Sequence, residues 1–286
     1  METILRGPSN EVTIGPDLPT VIIGERINPT GRKVFSAELQ AGNLERVGRD
    51  AQAQADAGAM VLDVNVGAAG VDEVALLPRA VQIVQDTIDL PVCIDSPNPD
   101  ALAAALKVAK GRVLVNSVNG ETEKLKAVLP LVAEYGAAVI ALCMDDHGIP
   151  ETPEARLAVA ENILKQAQAH GIAADSILFD PLTLAVGADH RAGVTACETT
   201  RLIRAKLGCN LTAGASNASH GMPERELLNT VLLTLLIQAG VNAPISNPLV
   251  NGLAVRAVDL MLGRDEWGMS YIQTYRAKAA REAAKG

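Results

Sequence analysis

Carboxylate and amide side chains stand at the ends of successive short apolar runs in this sequence. Asp63, Asp95, Asn116 and Asp180 interrupt or directly follow aliphatic residues of the kind that form buried strands. Any one of them could be a helix cap or a turn residue, but caps normally fall about one to three residues beyond a strand. Because a buried carboxylate or amide is costly unless it is used, the repeated pattern predicts side chains that point at a ligand.

The sequence offers little support for metal, phosphate or nucleophile chemistry. Its four histidines show no metal-ligand spacing, and it contains no G-x-x-x-x-G-K-[ST], G-x-G-x-x-G or G-x-S-x-G motif. We therefore expect no metal site and a neutral ligand that is rich in hydrogen-bond donors. A 2-amino-4-oxo pteridine fits this description, because its amino group and ring N–H donate to carboxylates while its ring nitrogens accept from amides.

The elements that must position these side chains alternate regularly. Short β-branched runs alternate with longer amphipathic runs, which predicts parallel strands with crossover helices. Eight such units without a linker favour an α/β fold of the (β/α)8 TIM-barrel type, with a single domain over residues 1–286, and an open doubly wound sheet is the alternative. The predicted strands cover residues 21–27, 60–66, 92–95, 113–118, 138–144, 177–181, 211–215 and 241–246.

Apolar residues at spacings of three and four predict the intervening helices. They cover residues 39–57, 99–109, 122–135, 154–170, 197–207, 224–239 and 251–262, and a surface helix is expected after Tyr271. The first 20 residues are rich in turn-forming residues. In a barrel the strand ends converge on the C-terminal rim, where such folds keep their active sites.

Composition excludes several classes of function. The formal net charge is −8 and there is no run of Lys or Arg, so a nucleic-acid partner is not expected. No signal peptide and no apolar stretch of about 20 residues is found, which predicts a cytoplasmic protein without a membrane partner. The four cysteines are scattered without a C-x-x-C spacing, so we expect buried, reduced thiols.

Six short motifs carry a resemblance to a known family. They are Gly-Glu-Arg-Ile-Asn-Pro-Thr-Gly at 24–31, Asp-Val-Asn-Val-Gly at 63–67, Asp-Ser at 95–96, Asn-Ser at 116–117, Phe-Asp-Pro-Leu at 179–182 and Gly-Ala-Ser-Asn-Ala-Ser at 214–219. In this order and spacing the chain resembles the pterin-binding (β/α)8 proteins. That family includes dihydropteroate synthase, the folate module of cobalamin-dependent methionine synthase and the methyltetrahydrofolate:corrinoid protein methyltransferases.

Within that family, the region after the seventh strand is most similar to the stand-alone corrinoid methyltransferases. It contains Ser216-Asn217, Ser219, Arg225 and Leu227-Leu228-Asn229, and it has no lysine between Lys206 and Lys278, where dihydropteroate synthases tend to carry one. The resemblance implies transfer of a methyl group between N5 of (methyl)tetrahydrofolate and the cobalt of a corrinoid. Dihydropteroate synthase and a non-catalytic folate-binding subunit stay open as alternatives.

The resemblance also implies roles for individual residues. It implies that Asp95, Asn116 and Asp180 bind the pterin, that the catalytic Asn217 reaches N5, and that Ser216, His220 and Arg225 contribute to folate binding. The position of His220 often holds another polar residue in relatives, which leaves its contribution open. Because a corrinoid is too large to share the barrel with folate and no second module follows the eighth unit, we expect a cobalamin-binding partner protein and, by resemblance, a homodimer.

Overall fold

The computed structural model describes residues 1–283, so the last three residues of the predicted domain lie outside the described chain. Strands β1 (Thr3–Arg6) and β2 (Glu11–Ile14) form an antiparallel hairpin. Eight further strands are parallel: β3 (Ile23–Ile27), β4 (Val61–Val64), β5 (Val92–Asp95), β6 (Leu114–Asn119), β7 (Ala138–Leu142), β8 (Ile177–Asp180), β9 (Asn210–Leu211) and β10 (Ile245–Ser246). Their order in the sheet is β10-β3-β4-β5-β6-β7-β8-β9.

The two ends of this sheet meet. A parallel bridge joins Gly214 to Ile245, the Ala215 N–H donates to the Ile245 carbonyl over 3.1 Å, and the Ile245 N–H donates to the Ala213 carbonyl over 3.0 Å. The segment after β9 therefore pairs with β10. This closure confirms the predicted barrel and rejects the open doubly wound sheet.

Ten α-helices accompany the strands in the described chain. They are α1 (Lys33–Gln40), α2 (Glu45–Asp56), α3 (Glu73–Thr87), α4 (Pro99–Leu106), α5 (Thr122–Tyr135), α6 (Pro153–Ala169), α7 (Ala192–Leu207), α8 (Arg225–Ala239), α9 (Pro248–Met261) and α10 (Met269–Ala283). Asn98, Thr152 and Asn247 cap α4, α6 and α9 through their side chains, and each is followed by a proline in the first helical turn. These caps fix where the chain leaves the barrel rim.

The single helix predicted over residues 39–57 is wrong, because the chain forms α1 and α2 there. Gly42 adopts a φ of +71° between them, a left-handed conformation that glycine reaches without steric cost. Helix α3 was not among the predicted helices, and it carries Pro78 within its first two turns.

The opening 20 residues form an ordered hairpin and not merely a series of turns. Leu5, Val12 and Ile14 from β1 and β2 pack into the apolar cluster that fills the barrel interior. Asn210 secures the hairpin by donating to the Thr3 hydroxyl over 2.9 Å and to the Ile14 carbonyl over 3.0 Å. The hairpin thus closes the N-terminal end of the barrel and leaves the C-terminal rim open.

All four cysteines are buried and free, as predicted. None of the helices within residues 1–283 combines the length and the apolar character that a membrane crossing requires.

Candidate active site

Strand alternation decides which side chains face the inside of the barrel. Val61, Cys93, Leu114 and Leu178 belong to the interior apolar cluster. Side chains two positions apart on a strand point to the same face. The residues two positions further along therefore point into the barrel mouth, and they are Asp63, Asp95, Asn116 and Asp180.

Two amide side chains orient the carboxylates of β4 and β5. Nδ2 of Asn116 donates to Oδ1 of Asp63 over 3.1 Å, and Nδ2 of Asn65 donates to Oδ2 of Asp95 over 2.9 Å. Asp95 and Asn116 are paired in register on β5 and β6, so they are direct neighbours on the rim. The structure thus brings together two of the three residues predicted to bind a pterin, and it adds Asp63 to their network.

Burial raises the pKa of each of these carboxyl groups. Desolvation raises the pKa of Asp63 well above its usual value, and the charge of Asp95 raises it further. Burial raises the pKa of Asp95 to about 6, although the hydrogen bond from Asn65 acts in the opposite direction. A hydrogen bond from Asp63 also lowers the pKa of Asp95, so the two carboxyl groups act on each other directly.

Asp180 at the end of β8 is held by backbone N–H groups. The N–H of Leu182 donates to Oδ1 of Asp180 over 2.8 Å, and the N–H of Gly214 is a second donor. Burial raises the pKa of Asp180 to about 6, while these two hydrogen bonds and the charge of Arg156 oppose the rise. Asp180 is thereby linked to the segment after β9.

The loop after β9 is tied to β3, which lies just beyond β10 around the barrel mouth. Oγ of Ser216 donates to Oε1 of Glu25 over 2.9 Å, and Arg225 donates to the Ser216 carbonyl and to Oγ of Ser219, each over 3.2 Å. Burial raises the pKa of Glu25, and the hydrogen bond from Ser216 counteracts part of this effect. Ser216 and Arg225 therefore belong to one network that fixes this loop.

Asn217 lies exposed in this loop, next to Gly214. A Cβ atom on Gly214 would lie 3.1 Å from Nδ2 of Asn217, so glycine leaves the room for this amide to fold back over the strand end. The Gly214 N–H is in turn bonded to Asp180. His220 is exposed in the same turn, and its backbone N–H donates to the Asn217 carbonyl over 3.3 Å.

Glu25 belongs to this network but was not among the predicted site residues, whereas Asp63 was predicted to point at a ligand without being given a role in pterin binding. Both end apolar runs in the sequence, and Asp63 has the same strand parity as the interior residue Val61. This two-residue spacing from Val61 is the sequence feature that indicated an inward-facing Asp63. The contact of Glu25 with Ser216 joins residues 191 positions apart, so no local pattern reports it.

The arrangement presents acceptors at the barrel mouth and an exposed amide beside one of them, Asp180. It can bind a flat heterocycle by its donor edge and leave a reacting atom accessible from outside. Within residues 1–283, no three His, Cys, Asp or Glu side chains are grouped so that they could hold a metal ion.

Comparison with solved structures identifies the fold. A Yersinia pestis DHPS solved with a pterine-sulfa conjugate superposes with a TM-score of 0.69 over 92% of this chain and 100% of the other, at 17% sequence identity.

Sequence comparison adds two named enzymes. The chain is 31% identical to the methylcorrinoid:tetrahydrofolate methyltransferase of Eubacterium limosum over 264 residues, which cover 90% of this chain and 96% of that protein.

The chain is also 30% identical to the methionine synthase of Mycobacterium tuberculosis. This match covers 82% of the chain but only 21% of the methionine synthase. Residues 24–247 match the family described as pterin binding enzyme, and this segment runs from within β3 to just after β10. The match covers more than half of the chain and includes the C-terminal ends of all eight barrel strands. The chain therefore belongs to the family of pterin-binding enzymes.

Proposed function

We propose that this protein transfers a methyl group between N5 of tetrahydrofolate and the cobalt of a corrinoid that a separate carrier protein presents. One observation carries the proposal: Asp95, Asn116 and Asp180 point into the barrel mouth, and the exposed amide of Asn217 lies beside Gly214, whose N–H is bonded to Asp180. The relative from Eubacterium limosum, whose name states this reaction, supports it across nearly its whole length.

The pterin binds through its donor edge. Asp95 and Asp180 accept hydrogen bonds from the amino group and ring N–H groups when they are ionised. Asn116 already donates through Nδ2 to Asp63, so its carbonyl oxygen is left to accept from a ring donor. Ser216, His220 and Arg225 lie along the loop that borders the rest of the folate.

The chemical difficulty lies at N5, because a tertiary amine is a poor leaving group. When cobalt(I) attacks, its electron pair forms the cobalt–carbon bond while the N5–carbon bond breaks and leaves its pair on N5. Proton uptake from solvent then neutralises N5. Asn217 donates a hydrogen bond that strengthens as electron density grows on N5, and such electrostatic help lowers barriers by about 3 kcal/mol. In the reverse direction N5 of tetrahydrofolate attacks the methyl group on cobalt.

The partner is a cobalamin-binding protein that docks on the open rim, where Asn217 is exposed. For the protein itself we propose a cytoplasmic homodimer. Leu227, Val231 and Leu235 follow a four-residue spacing along α8 and are 62%, 49% and 49% exposed, so they form an apolar stripe that a second copy can cover. Light scattering of the purified protein measures this assembly.

Three assays separate the possible activities. Equilibrium dialysis with 5-methyltetrahydrofolate measures binding, and a spectral assay of cobalt methylation measures transfer. Methyl transfer supports the proposal. Formation of pteroate from a pterin pyrophosphate and p-aminobenzoate would instead identify a dihydropteroate synthase, and tight binding without turnover on any corrinoid carrier would identify a non-catalytic folate-binding subunit.

A further inference from the structure

Arg156 is a buried cation near the candidate site. It lies close to the start of α6, its residue is only 2% exposed, and it heads the largest fully buried side chains of the described chain. A buried guanidinium costs several kcal/mol unless it is compensated, and the positive end of a helix dipole adds a further small cost. Its retention at this position therefore needs strong local partners.

The partners are three backbone carbonyl groups from two rim loops. Nε of Arg156 donates to the Pro150 carbonyl over 2.8 Å. Nη1 donates to the carbonyls of Pro181 and Leu182 over 2.8 and 2.6 Å. Arg156 thus connects the loop after β7 with the two residues that directly follow Asp180.

Those two residues form an unusual turn. Leu182 has a φ of +59°, a left-handed conformation that is unfavourable for a non-glycine residue. In this conformation its N–H points back at Oδ1 of Asp180 over 2.8 Å. The hydrogen bonds from Arg156 to the carbonyls of the same two residues stabilise the turn that makes this contact possible.

The charge of Arg156 also favours an Asp180 carboxylate that can accept hydrogen bonds. Burial lowers the pKa of Arg156, and the neighbouring Cys143, Asp180 and Asp189 oppose that change. Burial has the largest effect on Asp180 and raises its pKa. The N–H groups of Leu182 and Gly214 and the positive charge of Arg156 all lower it. Arg156 is the charged side chain that favours the ionised form of Asp180.

We infer that Arg156 is a positioning residue, which fixes the Asp180–Leu182 turn so that the Asp180 carboxylate is held ready for the pterin. The inference rests on the proposed function, in which Asp180 binds that ring. Arg156 itself is directed at backbone carbonyls, so it acts through Asp180 and not on the substrate.

The test compares Arg156→Gln and Arg156→Lys with Arg204→Gln. Arg204 is a matched control because its guanidinium also donates to two backbone carbonyls, those of Cys209 and Gly240, both over 3.1 Å and away from the site. Calorimetry with 5-methyltetrahydrofolate should give a dissociation constant about ten- to a hundredfold higher for Arg156→Gln and an intermediate value for Arg156→Lys. Arg204→Gln should bind like the unchanged protein.

Two readouts separate positioning from a general loss of stability. In an Asp180→Asn background, Arg156→Gln should change the dissociation constant by less than about threefold, because the carboxylate that Arg156 positions is then absent. Carboxyl-carbon NMR of the ligand-free protein should show Asp180 titrating at higher pH in Arg156→Gln, whereas Arg156→Lys retains the charge and shifts the titration less.

The outcomes are distinct from a failure of the proposed function. If the unchanged protein does not bind 5-methyltetrahydrofolate, the proposed function fails, but the NMR titration still tests Arg156. An unchanged Asp180 titration in Arg156→Gln overturns the inference. So does an Arg156→Lys variant that binds folate as tightly as the unchanged protein.

Discussion

The amide of Asn116 donates a 3.1 Å hydrogen bond to Asp63 across the intervening strand β5. Asp63 is 2% exposed and its pKa is raised by burial and by the charge of Asp95. When it carries its proton, Asp63 can accept from Asn116 and at the same time donate to Asp95. One carboxyl group thereby orients two of the groups proposed to bind the pterin before the substrate arrives.

This relationship predicts that Asp63 supports folate binding through its hydrogen bonds as a protonated group and not through a negative charge. Asp63→Asn can accept from Asn116 and donate to Asp95, so its affinity for 5-methyltetrahydrofolate should stay within about threefold of the unchanged protein. Asp63→Ala removes the acceptor of the Asn116 amide and leaves Asp95 with Asn65 as its side-chain donor, so it should weaken binding by about tenfold or more. Calorimetry on the two folded variants checks this, and equal losses in both would show that Asp63 acts as an anion.

Folate affinity should fall as the pH is lowered through about 6. Burial raises the pKa of Asp95 and of Asp180 to about 6, and protonation turns one oxygen of each group into a donor that cannot accept from a ring N–H. Below that pH each protonated group should raise the dissociation constant by about tenfold per pH unit. Equilibrium dialysis between pH 5 and 8 (about three units) measures this, with the free ligand titrated separately. A flat profile would contradict the assignment of both carboxylates.

Asp180→Asn should stabilise the protein while it weakens folate binding. The folded-state pKa of Asp180 is raised above its unfolded value, so the folded state binds more protons between about pH 4 and 6 and the group's contribution to stability declines as pH rises through that window. At pH values above this window, Asp180 is ionised in the folded state and its buried charge lowers the free energy of unfolding. Neutral asparagine should therefore raise the free energy of unfolding at alkaline pH by on the order of 1–2 kcal/mol.

The control for this prediction is the same pair of proteins in acid. At pH values near the unfolded pKa, about 4, Asp180 is protonated in the fold, so the stability advantage of Asp180→Asn should disappear. Urea unfolding at both pH values measures the difference. An advantage of equal size in acid and alkali would mean that packing, and not charge, causes it.

Asn217→Ala should lower the rate of methyl transfer more than it lowers affinity. Its amide interacts with N5 most strongly in the transition state, so kcat should fall by about a hundredfold while the dissociation constant for 5-methyltetrahydrofolate changes by less than about fivefold. Asn162→Ala is a suitable control, because Asn162 is exposed on α6 outside the site. Equal losses in affinity and rate would indicate that Asn217 is a binding residue only.

Elements with clear local signals were predictable from the sequence. The strand predicted over residues 92–95 and the helix over residues 122–135 match β5 and α5 at both ends. In each case the spacing of apolar residues changes at the same positions where turn or cap residues occur. Asp95, Asn116 and Asp180 were predictable for the same reason, since strand parity is a local property.

Contacts between distant segments were not predictable. Strands β9 and β10 have two regular residues each, shorter than the predicted runs at 211–215 and 241–246, and Gly214 pairs with Ile245 through an isolated bridge where the barrel closes. The pairing of β1 with β2 and their packing under the barrel depend on Asn210, more than 190 positions away. The role of Arg156 likewise depends on carbonyl groups that only the folded rim brings together.

Methyl transfer itself tests the central claim most directly. The purified protein would be mixed with tetrahydrofolate and a methylated corrinoid carrier protein, and loss of the methylcobalt spectrum would be followed together with formation of 5-methyltetrahydrofolate. We predict turnover with the unchanged protein, much slower reaction with free methylcobalamin, and a large loss of rate in Asn217→Ala. Bound folate without any methyl transfer from the carrier proteins tested, or formation of pteroate instead, would contradict the account.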